Sequence, residues 1–219
     1  MVKGYKGFLI TFEGGDGSGK DTIISMVGEE LKKLGVDFIS TREPGGSKIA
    51  EKIRKIILDP EHKEMSIRTE LLLYEASRAQ HTEEVLIPEL KKGKLILSSR
   101  YYDSSTVYQG YVRGNNLADV KLLNAFASYS IIPDMTILLN VDPKIGLARC
   151  RKNDFASLDR LEQEGFEFHK KVNNSYLKLA KQEPRFKVVD ANMTLAAEFK
   201  EVMQLILAFC QKNSLIKKC

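Results

Sequence analysis

The sequence has few cysteines and histidines and no long apolar run. It therefore lacks what disulfide frameworks, histidine metal sites and membrane spans require. Its 219 residues include three cysteines, three histidines and no tryptophan. The cysteines, Cys150, Cys210 and Cys219, are odd in number and lack the spacing of metal ligands, which argues for a reducing compartment. No apolar run approaches the roughly 20 residues of a membrane helix, and the first residues lack the apolar core of a signal peptide. We therefore expect a cytoplasmic protein that does not bind membranes.

Charge of either sign is also not in large excess. Lys and Arg together number 34 and Asp and Glu 29, which leaves a net charge of +5. A dedicated nucleic-acid binder clusters its basic residues and passes a pI of about 9, so we expect no nucleic-acid partner. The small excess suits an anionic small molecule. Because a domain usually has about 150 residues, residues 1–219 are predicted to form a single domain.

Short apolar runs alternate with helical patterns along the chain. The runs predicted to be strands are 8–12, 36–41, 94–98, 135–140 and 186–190. Apolar residues at helical spacing predict helices over 22–34, 48–58, 66–90 (a stretch long enough to bend), 102–127 (two helices broken near Gly114), 143–152, 160–181 and 195–213. Strands without polar alternation are typical of a parallel sheet that is covered on both faces. The sequence therefore predicts an α/β fold with a five-stranded parallel sheet and helices on both of its faces.

One charged segment interrupts the second half of the chain. Residues 149–160 are rich in charge and poor in large apolar side chains. A segment of this composition does not belong to a core, so we interpret it as a mobile basic lid. Its arginines are Arg149, Arg151 and Arg160.

A glycine-rich segment lies between the first predicted strand and the first predicted helix. Its spacing, Gly14-x4-Gly19-Lys20, is that of a phosphate-binding loop (P-loop). Glycines let backbone N–H groups curl around a phosphate, and the following helix N-terminus adds the positive end of its dipole. The alternative is a tight glycine-rich turn without a ligand. We predict that ATP is bound by Gly14, Gly15, Asp16, Gly17, Ser18, Gly19, Lys20, Asp21 and Thr22.

Arginine-bearing clusters follow other predicted elements of the sheet. They are residues 41–46 after the second strand, 98–105 after the third, and the lid, which follows the helix after the fourth. Ligands of such sheets bind beyond the carboxyl ends of the strands. The planar fork of arginine suits phosphate. Several arginines at the edge that carries the P-loop predict a phosphoryl-transfer site.

Several segments together resemble the bacterial thymidylate kinases, a family of P-loop nucleoside monophosphate kinases. They are FEGGDGSGK (12–20), TREPGG (41–46), LLLYEASRAQH (71–81) and RYYDSSTVYQG (100–110), and 159–168 is similar to the family's stretch after the lid. The resemblance runs in family order from about residue 8 to 191. It implies the P-loop kinase fold, a homodimer, and transfer of the γ-phosphoryl group of ATP to dTMP with Mg²⁺, which gives dTDP for dTTP synthesis.

The resemblance also implies which residues handle the phosphates and the sugar. Lys20 would hold the donor phosphates, and Arg42 and Arg100 would hold the acceptor monophosphate. Asp16 would approach the 3′-hydroxyl of the sugar. This P-loop has no arginine, so the remaining catalytic charge is expected from the lid. The candidates are Arg149, Arg151 and Arg160.

Further positions correspond to family residues around the base. Tyr74 occupies the position of an aromatic ring, usually Phe, that stacks on thymine; simple core packing is the other interpretation. Arg78 would hydrogen-bond the base. Ser105 and Gln109 fall in the base-contacting segment. Tyr108 would lie near the 2′ face of the sugar, where a ring excludes a ribose hydroxyl.

Two positions depart from the family pattern at the expected metal. Asp21 stands where P-loops have Ser or Thr, and Ser99 stands where the family has Asp. We hypothesise that Asp21 takes over the carboxylate's role toward Mg²⁺ and that Ser99 fills the vacated polar space. The alternatives are a catalytically impaired module that still binds nucleotides and a related nucleotide kinase with a changed acceptor.

Overall fold

The apolar runs of the chain form the strands of a parallel sheet. The computed structural model describes residues 4–150 and 159–216. Its strands are β1 (Phe8–Glu13), β2 (Phe38–Arg42), β3 (Leu95–Ser99), β4 (Met135–Asn140) and β5 (Phe186–Asp190). They lie in the order β2-β3-β1-β4-β5, and each neighbouring pair is parallel. The predicted five-stranded parallel sheet is therefore confirmed.

The helices lie between the strands, as the alternating pattern predicts. They are α1 (Lys20–Lys33), α2 (Lys48–Leu58), α3 (Ile67–His81), α4 (Ile87–Lys91), α5 (Tyr102–Ser105), α6 (Leu117–Ala127), α7 (Pro143–Cys150), α8 (Phe166–Gln182) and α9 (Leu195–Lys212). A π-helical turn, Thr82–Leu86, joins α3 to α4, and a second, Thr106–Val112, continues α5. The long helical stretch predicted over 66–90 and the break near Gly114 are both confirmed.

Two of the predicted boundaries that differ from the structure have a local cause in hydrogen bonding. The second strand begins at Phe38, not at residue 36, because the Val36 N–H donates to the Leu31 carbonyl (3.0 Å) and completes the end of α1. The helix predicted from residue 160 begins at Phe166, because the Asp159 carboxylate accepts from the backbone N–H groups of residues 161 and 162 (2.8 and 2.9 Å) and forms a turn. Of the predicted lid, residues 151–158 lie outside the described residues.

Successive side chains of the strands enter cores on opposite faces of the sheet. Ile10 and Phe12 of β1 belong to a core that also contains buried side chains of α1 and α9. Leu9, the residue directly before Ile10, packs with Leu86 and Leu90 on the other face. This is the period of two expected for a strand. Helices therefore cover both faces, as predicted.

The parallel arrangement brings several loops to one edge. The P-loop follows β1, residues 43–47 follow β2, Arg100 follows β3, and α7 follows β4 after a short connection. Because the carboxyl ends of parallel strands meet at the same edge, these segments are neighbours. No helix within residues 4–150 and 159–216 has both the length and the apolar character needed to cross a membrane.

Candidate active site

The P-loop has a backbone conformation that requires glycine. Gly14 and Gly17 have φ angles of 146° and 70°, which side-chain-bearing residues rarely adopt. A Cβ at Gly14 would lie 2.5 Å from the carbonyl oxygen of Leu139, and one at Gly17 would collide with the Gly146 carbonyl. The loop therefore packs directly against the end of β4 and against α7, with no room for side chains at these positions.

Lys20 lies inside the P-loop. Its Nζ donates to the carbonyl oxygens of Gly14 (3.1 Å) and Gly15 (2.9 Å) and to the Ser18 hydroxyl (3.1 Å). Burial, and then the nearby Arg100 guanidinium, lower the pKa of Lys20 to about 8. The loop thus holds an ammonium group where a phosphate chain would lie against the N-terminus of α1.

Arg100 connects the P-loop with the end of β3. Its Nη2 lies 2.6 Å from Oδ1 of Asp16. Its Nη1 donates to the Gly14 carbonyl (3.1 Å) and to the Tyr176 hydroxyl (3.2 Å), and its guanidinium lies 5.2 Å from the centre of the Tyr108 ring. The residue has a φ of 67°, in the left-handed region. A strained backbone and a partly buried charge at the edge of the sheet are typical of a functional position.

A buried carboxylate, Glu13, lies at the end of β1 beneath this arginine. It accepts hydrogen bonds from the backbone N–H of Tyr101 (2.8 Å) and from the hydroxyls of Ser104 and Tyr176 (2.7 Å each). Burial, and then the charge of Asp103, raise the pKa of Glu13 to about 6. Glu13 was not among the residues predicted from the sequence, although a carboxylate that ends an apolar strand just before the P-loop is a recognisable signal.

Two cavities meet at the Asp16–Arg100 pair. The larger cavity, about 510 Å³, is lined by residues 16–22, Arg42, Ser99, Arg149, Cys150 and Glu162. The smaller cavity, about 60 Å³, is lined by Pro44, Leu58, Tyr74, Ser104, Tyr108, Gln109 and Leu161. Both are also lined by Asp16, Glu43, Arg54, Arg100 and Asp159. The site therefore has a P-loop side and an aromatic side with a charged wall between them.

The residues predicted to surround the base and the sugar divide into two groups. Tyr74, Tyr108 and Gln109 line the smaller cavity. Arg78 is buried behind this wall, with its Nε donating to Glu43 (2.8 Å) and its Nη1 to the Ser105 hydroxyl (3.1 Å). Neither Arg78 nor Ser105 is among the residues that line the cavity. However, Arg78 holds the Glu43 carboxylate, and Glu43 does line the cavity.

The structure places two arginines differently with respect to the predicted acceptor phosphate. Arg42 lies 3.2 Å from Glu51, is exposed, and lines the larger cavity but not the smaller one. Arg54, which the sequence analysis did not select, lines both cavities, and its Nη1 donates to the Pro44 carbonyl (2.7 Å). Arg54 was missed because it lies in the middle of α2 and not at the end of a strand.

The predicted lid arginines also have different surroundings. Arg149, in the last turn of α7, lines the larger cavity and donates to the carbonyls of Gly17 and Ala191 (3.2 Å each). Arg160 lines neither cavity; its Nη2 lies 2.6 Å from Glu70. Arg151 is outside the described residues. Of the two lid arginines among the described residues, Arg149 faces the P-loop and Arg160 does not.

The predicted metal residues lie on the same wall. Asp21, in the first turn of α1, and Ser99, at the end of β3, both line the larger cavity. Within the described part of the chain, no group of three or more His, Cys, Asp or Glu side chains could hold a metal by itself. Mg²⁺ in phosphate sites takes few protein oxygens and completes its shell with water and phosphate. One carboxylate and one hydroxyl beside the P-loop fit such an ion.

Comparison with known proteins gives consistent matches over most of the chain. A family model described as thymidylate kinase matches residues 12–202. Thymidylate kinase of Shouchella clausii is 46% identical over 202 residues, which cover 92% of this chain and 95% of that protein. Thymidylate kinase of Lactobacillus delbrueckii subsp. bulgaricus is 50% identical over 192 residues, 87% of this chain and 91% of that protein. The crystal structure of thymidylate kinase from Ehrlichia chaffeensis is similar with a TM-score of 0.72 and 28% identity, covering 92% of this chain and 98% of that one.

Proposed function

The chain belongs to the thymidylate kinase family, and we propose that its ATP lies in the larger cavity and its dTMP in the smaller one. The protein is an ATP-dependent phosphotransferase that converts dTMP to dTDP. The observation that supports the assignment of the two ligands is the shared wall, in which Asp16, Arg54 and Arg100 line both cavities.

The charged wall suits the chemistry of phosphoryl transfer. This reaction depends on positioning and on neutralising charge, and it needs no covalent nucleophile from the protein. Lys20 is placed to hold the β- and γ-phosphates of ATP from inside the P-loop. On the opposite side of the transferred group, Arg100 and Arg54 can hold the acceptor phosphate. Arg149 adds a charge on the ATP side.

The aromatic side of the site suits a thymine base and its sugar. Tyr74 and Tyr108 provide ring surfaces, and Gln109 provides an amide, which is the usual mixture of apolar walls and a few polar groups in a ligand site. A volume of about 60 Å³ is too small for a nucleotide. dTMP therefore enters by moving the lining side chains apart.

The Asp21–Ser99 wall is our proposed site for Mg²⁺. The ion would be held by the Asp21 carboxylate, with the Ser99 hydroxyl beside it, both on the cavity wall that carries the P-loop. When bound there, Mg²⁺ supplies positive charge to the phosphates of ATP. Arg42 lines the same cavity and a neighbouring groove together with both residues, so it can add charge to the donor phosphates.

An exposed apolar face supports the proposal of a homodimer. On α6, Leu122 and Phe126 are 70% and 80% exposed and stand one helical turn apart. Leu72 of the adjoining α3 is also more than half exposed. Large apolar side chains that are grouped in this way mark an interaction surface, and a second copy of the chain is the occupant that the resemblance implies.

A coupled assay with ATP and Mg²⁺ tests the proposed acceptor. We expect dTDP and ADP to form in equal amounts with dTMP, and rates at least about tenfold lower with UMP, dCMP or AMP, whose base or sugar differs at the contacts described. Comparable rates with another monophosphate would assign a changed acceptor. Binding of ATP without turnover on any acceptor would favour the impaired module.

A further inference from the structure

A buried carboxylate outside both cavities, Glu70, contacts three side chains from two distant segments of the chain. It lies in the first turn of α3 and is 1% exposed. Its Oε2 lies 2.6 Å from Nη2 of Arg160, and its Oε1 accepts from the Gln109 amide (2.8 Å) and from Nε of Arg113 (3.4 Å). Burying a carboxylate with two arginines costs desolvation free energy, and removing its charge takes the Glu70 counter-charge from Arg160 and from Arg113, of which Arg113 keeps Glu164.

Arg160 connects Glu70 to one wall of the smaller cavity. Its Nε donates to the Ile57 carbonyl (3.0 Å), and its backbone N–H donates to the Leu58 carbonyl (3.1 Å). The residues on either side of it, Asp159 and Leu161, both line that cavity. The Glu70–Arg160 pair therefore fixes the position of the part of the cavity wall that Asp159 and Leu161 form.

Gln109 and Tyr74 connect Glu70 to a second part of the cavity lining. Both line the smaller cavity. The Gln109 amide is held by Glu70 at 2.8 Å, and Tyr74 lies one helical turn beyond Glu70 on α3. Arg113 extends the cluster, because its Nη2 lies 2.6 Å from Glu164 and its guanidinium lies over the Phe168 ring.

We infer that Glu70 is a positioning residue for the acceptor site. It sets the positions of the two parts of the cavity wall that dTMP must move apart to enter. The inference is based on the proposed function, since it assigns the smaller cavity to dTMP. Glu70 touches neither nucleotide and acts through Arg160 and Gln109. Its loss should therefore weaken dTMP binding and leave ATP, on the other side of the charged wall, largely unaffected.

Steady-state kinetics of Glu70→Gln test this inference. The glutamine keeps the size of the side chain and an oxygen for the Gln109 amide, but it loses the charge opposite Arg160. We expect the KM for dTMP to rise about tenfold, as for the loss of a hydrogen bond to a charged group, and the KM for ATP to change less than about twofold. Arg160→Gln should give the same pattern, and the double variant should be no worse than either single one. Arg160→Lys, which keeps the charge, should recover part of the affinity.

Glu64→Gln is the matched control, because this carboxylate precedes α3 and is 80% exposed. It should change neither KM. A rise of both KM values together in Glu70→Gln and Arg160→Gln, with a lower melting temperature, would show a merely structural role and overturn the inference. Unchanged KM values in an active protein would also overturn it. If Glu70→Gln does not fold, the KM values of Arg160→Gln and Arg160→Lys for dTMP and ATP test the inference instead. Lack of dTMP turnover in the unaltered chain would instead contradict the proposed function itself.

Discussion

Oδ1 of Asp16 lies 2.6 Å from Nη2 of Arg100, and both residues line the larger and the smaller cavity. The pair joins the P-loop to the end of β3 at the place where two phosphorylated ligands would meet. In the nucleotide complex, the guanidinium can exchange the carboxylate for phosphate oxygens at little cost, because both partners are anionic and accept from the same fork.

Replacing Arg100 by lysine should strongly impair the reaction. Lysine keeps a positive charge but loses the planar fork that contacts Asp16 and Tyr176 together. We expect kcat/KM for dTMP to fall about 100-fold, which corresponds to about 2.7 kcal/mol of transition-state stabilisation. The measurement is the coupled assay at varied dTMP. A fall of less than about threefold would show that Arg100 does not hold the acceptor phosphate.

The exchange hypothesis for Asp21 and Ser99 predicts a non-additive result. Both residues line the larger cavity, so Asp21→Thr removes a carboxylate from the metal wall and Ser99→Asp adds one. We expect each single variant to lose activity and to shift the Mg²⁺ concentration for half-maximal rate, and the double variant to recover both. Additive gains from the two single changes would refute the exchange and point to an impaired site.

The lowered pKa of Lys20 predicts that ATP binding takes up a proton. In the free protein the pKa of Lys20 is about 8, whereas a bound phosphate chain favours the ammonium form and raises this pKa. ATP binding should therefore be accompanied by the uptake of about half a proton at Lys20 at pH 8 and of about a tenth of a proton at pH 7. The affinity for ATP should fall as the pH rises through 8. Calorimetry in buffers of different ionisation enthalpy measures the uptake.

Lys20→Arg provides the control for this titration. The guanidinium stays charged at these pH values, so the increase in proton uptake between pH 7 and pH 8 should disappear. An increase that persists in Lys20→Arg would assign the proton to another group and contradict the role given to Lys20.

The exposed face on α6 predicts a dimer that a single charge disrupts. Phe126→Glu places a carboxylate in the centre of the apolar face, where its burial between two copies would be unfavourable. Light scattering should give about twice 24.7 kDa for the unaltered chain and about 24.7 kDa for the variant. Leu195→Glu, an exposed leucine at the start of α9, is the matched control and should remain a dimer. A dimeric Phe126→Glu would exclude this face.

Local patterns predicted most of the fold. The five strands lie where apolar runs occur, because a strand buried on both faces admits few polar residues. The helix predicted to begin at residue 160 begins at Phe166 instead, for a local reason that the spacing of apolar residues does not reveal. The Asp159 carboxylate accepts hydrogen bonds from the backbone N–H groups of Leu161 and Glu162, and Leu161 is buried without a helix at that point.

The residues of the candidate site were predictable where they follow strands or lie in the P-loop. Lys20 and Arg100 belong to that group, since chain order and the parallel sheet determine their positions. Arg54 and Glu70 do not. Glu70 falls in the first turn of a helix, where any acid is favoured, and its three partners come from distant parts of the chain that only tertiary packing brings together.

Inhibition by a molecule in which adenosine and thymidine are joined through a chain of phosphates tests the central claim most directly. If ATP lies in the larger cavity and dTMP in the smaller one, with Asp16 and Arg100 between them, one such molecule fills both sites at once. It should compete with ATP and also with dTMP, and it should bind more tightly than either nucleotide alone. Competition with ATP alone, with dTMP binding unaffected, would contradict the account.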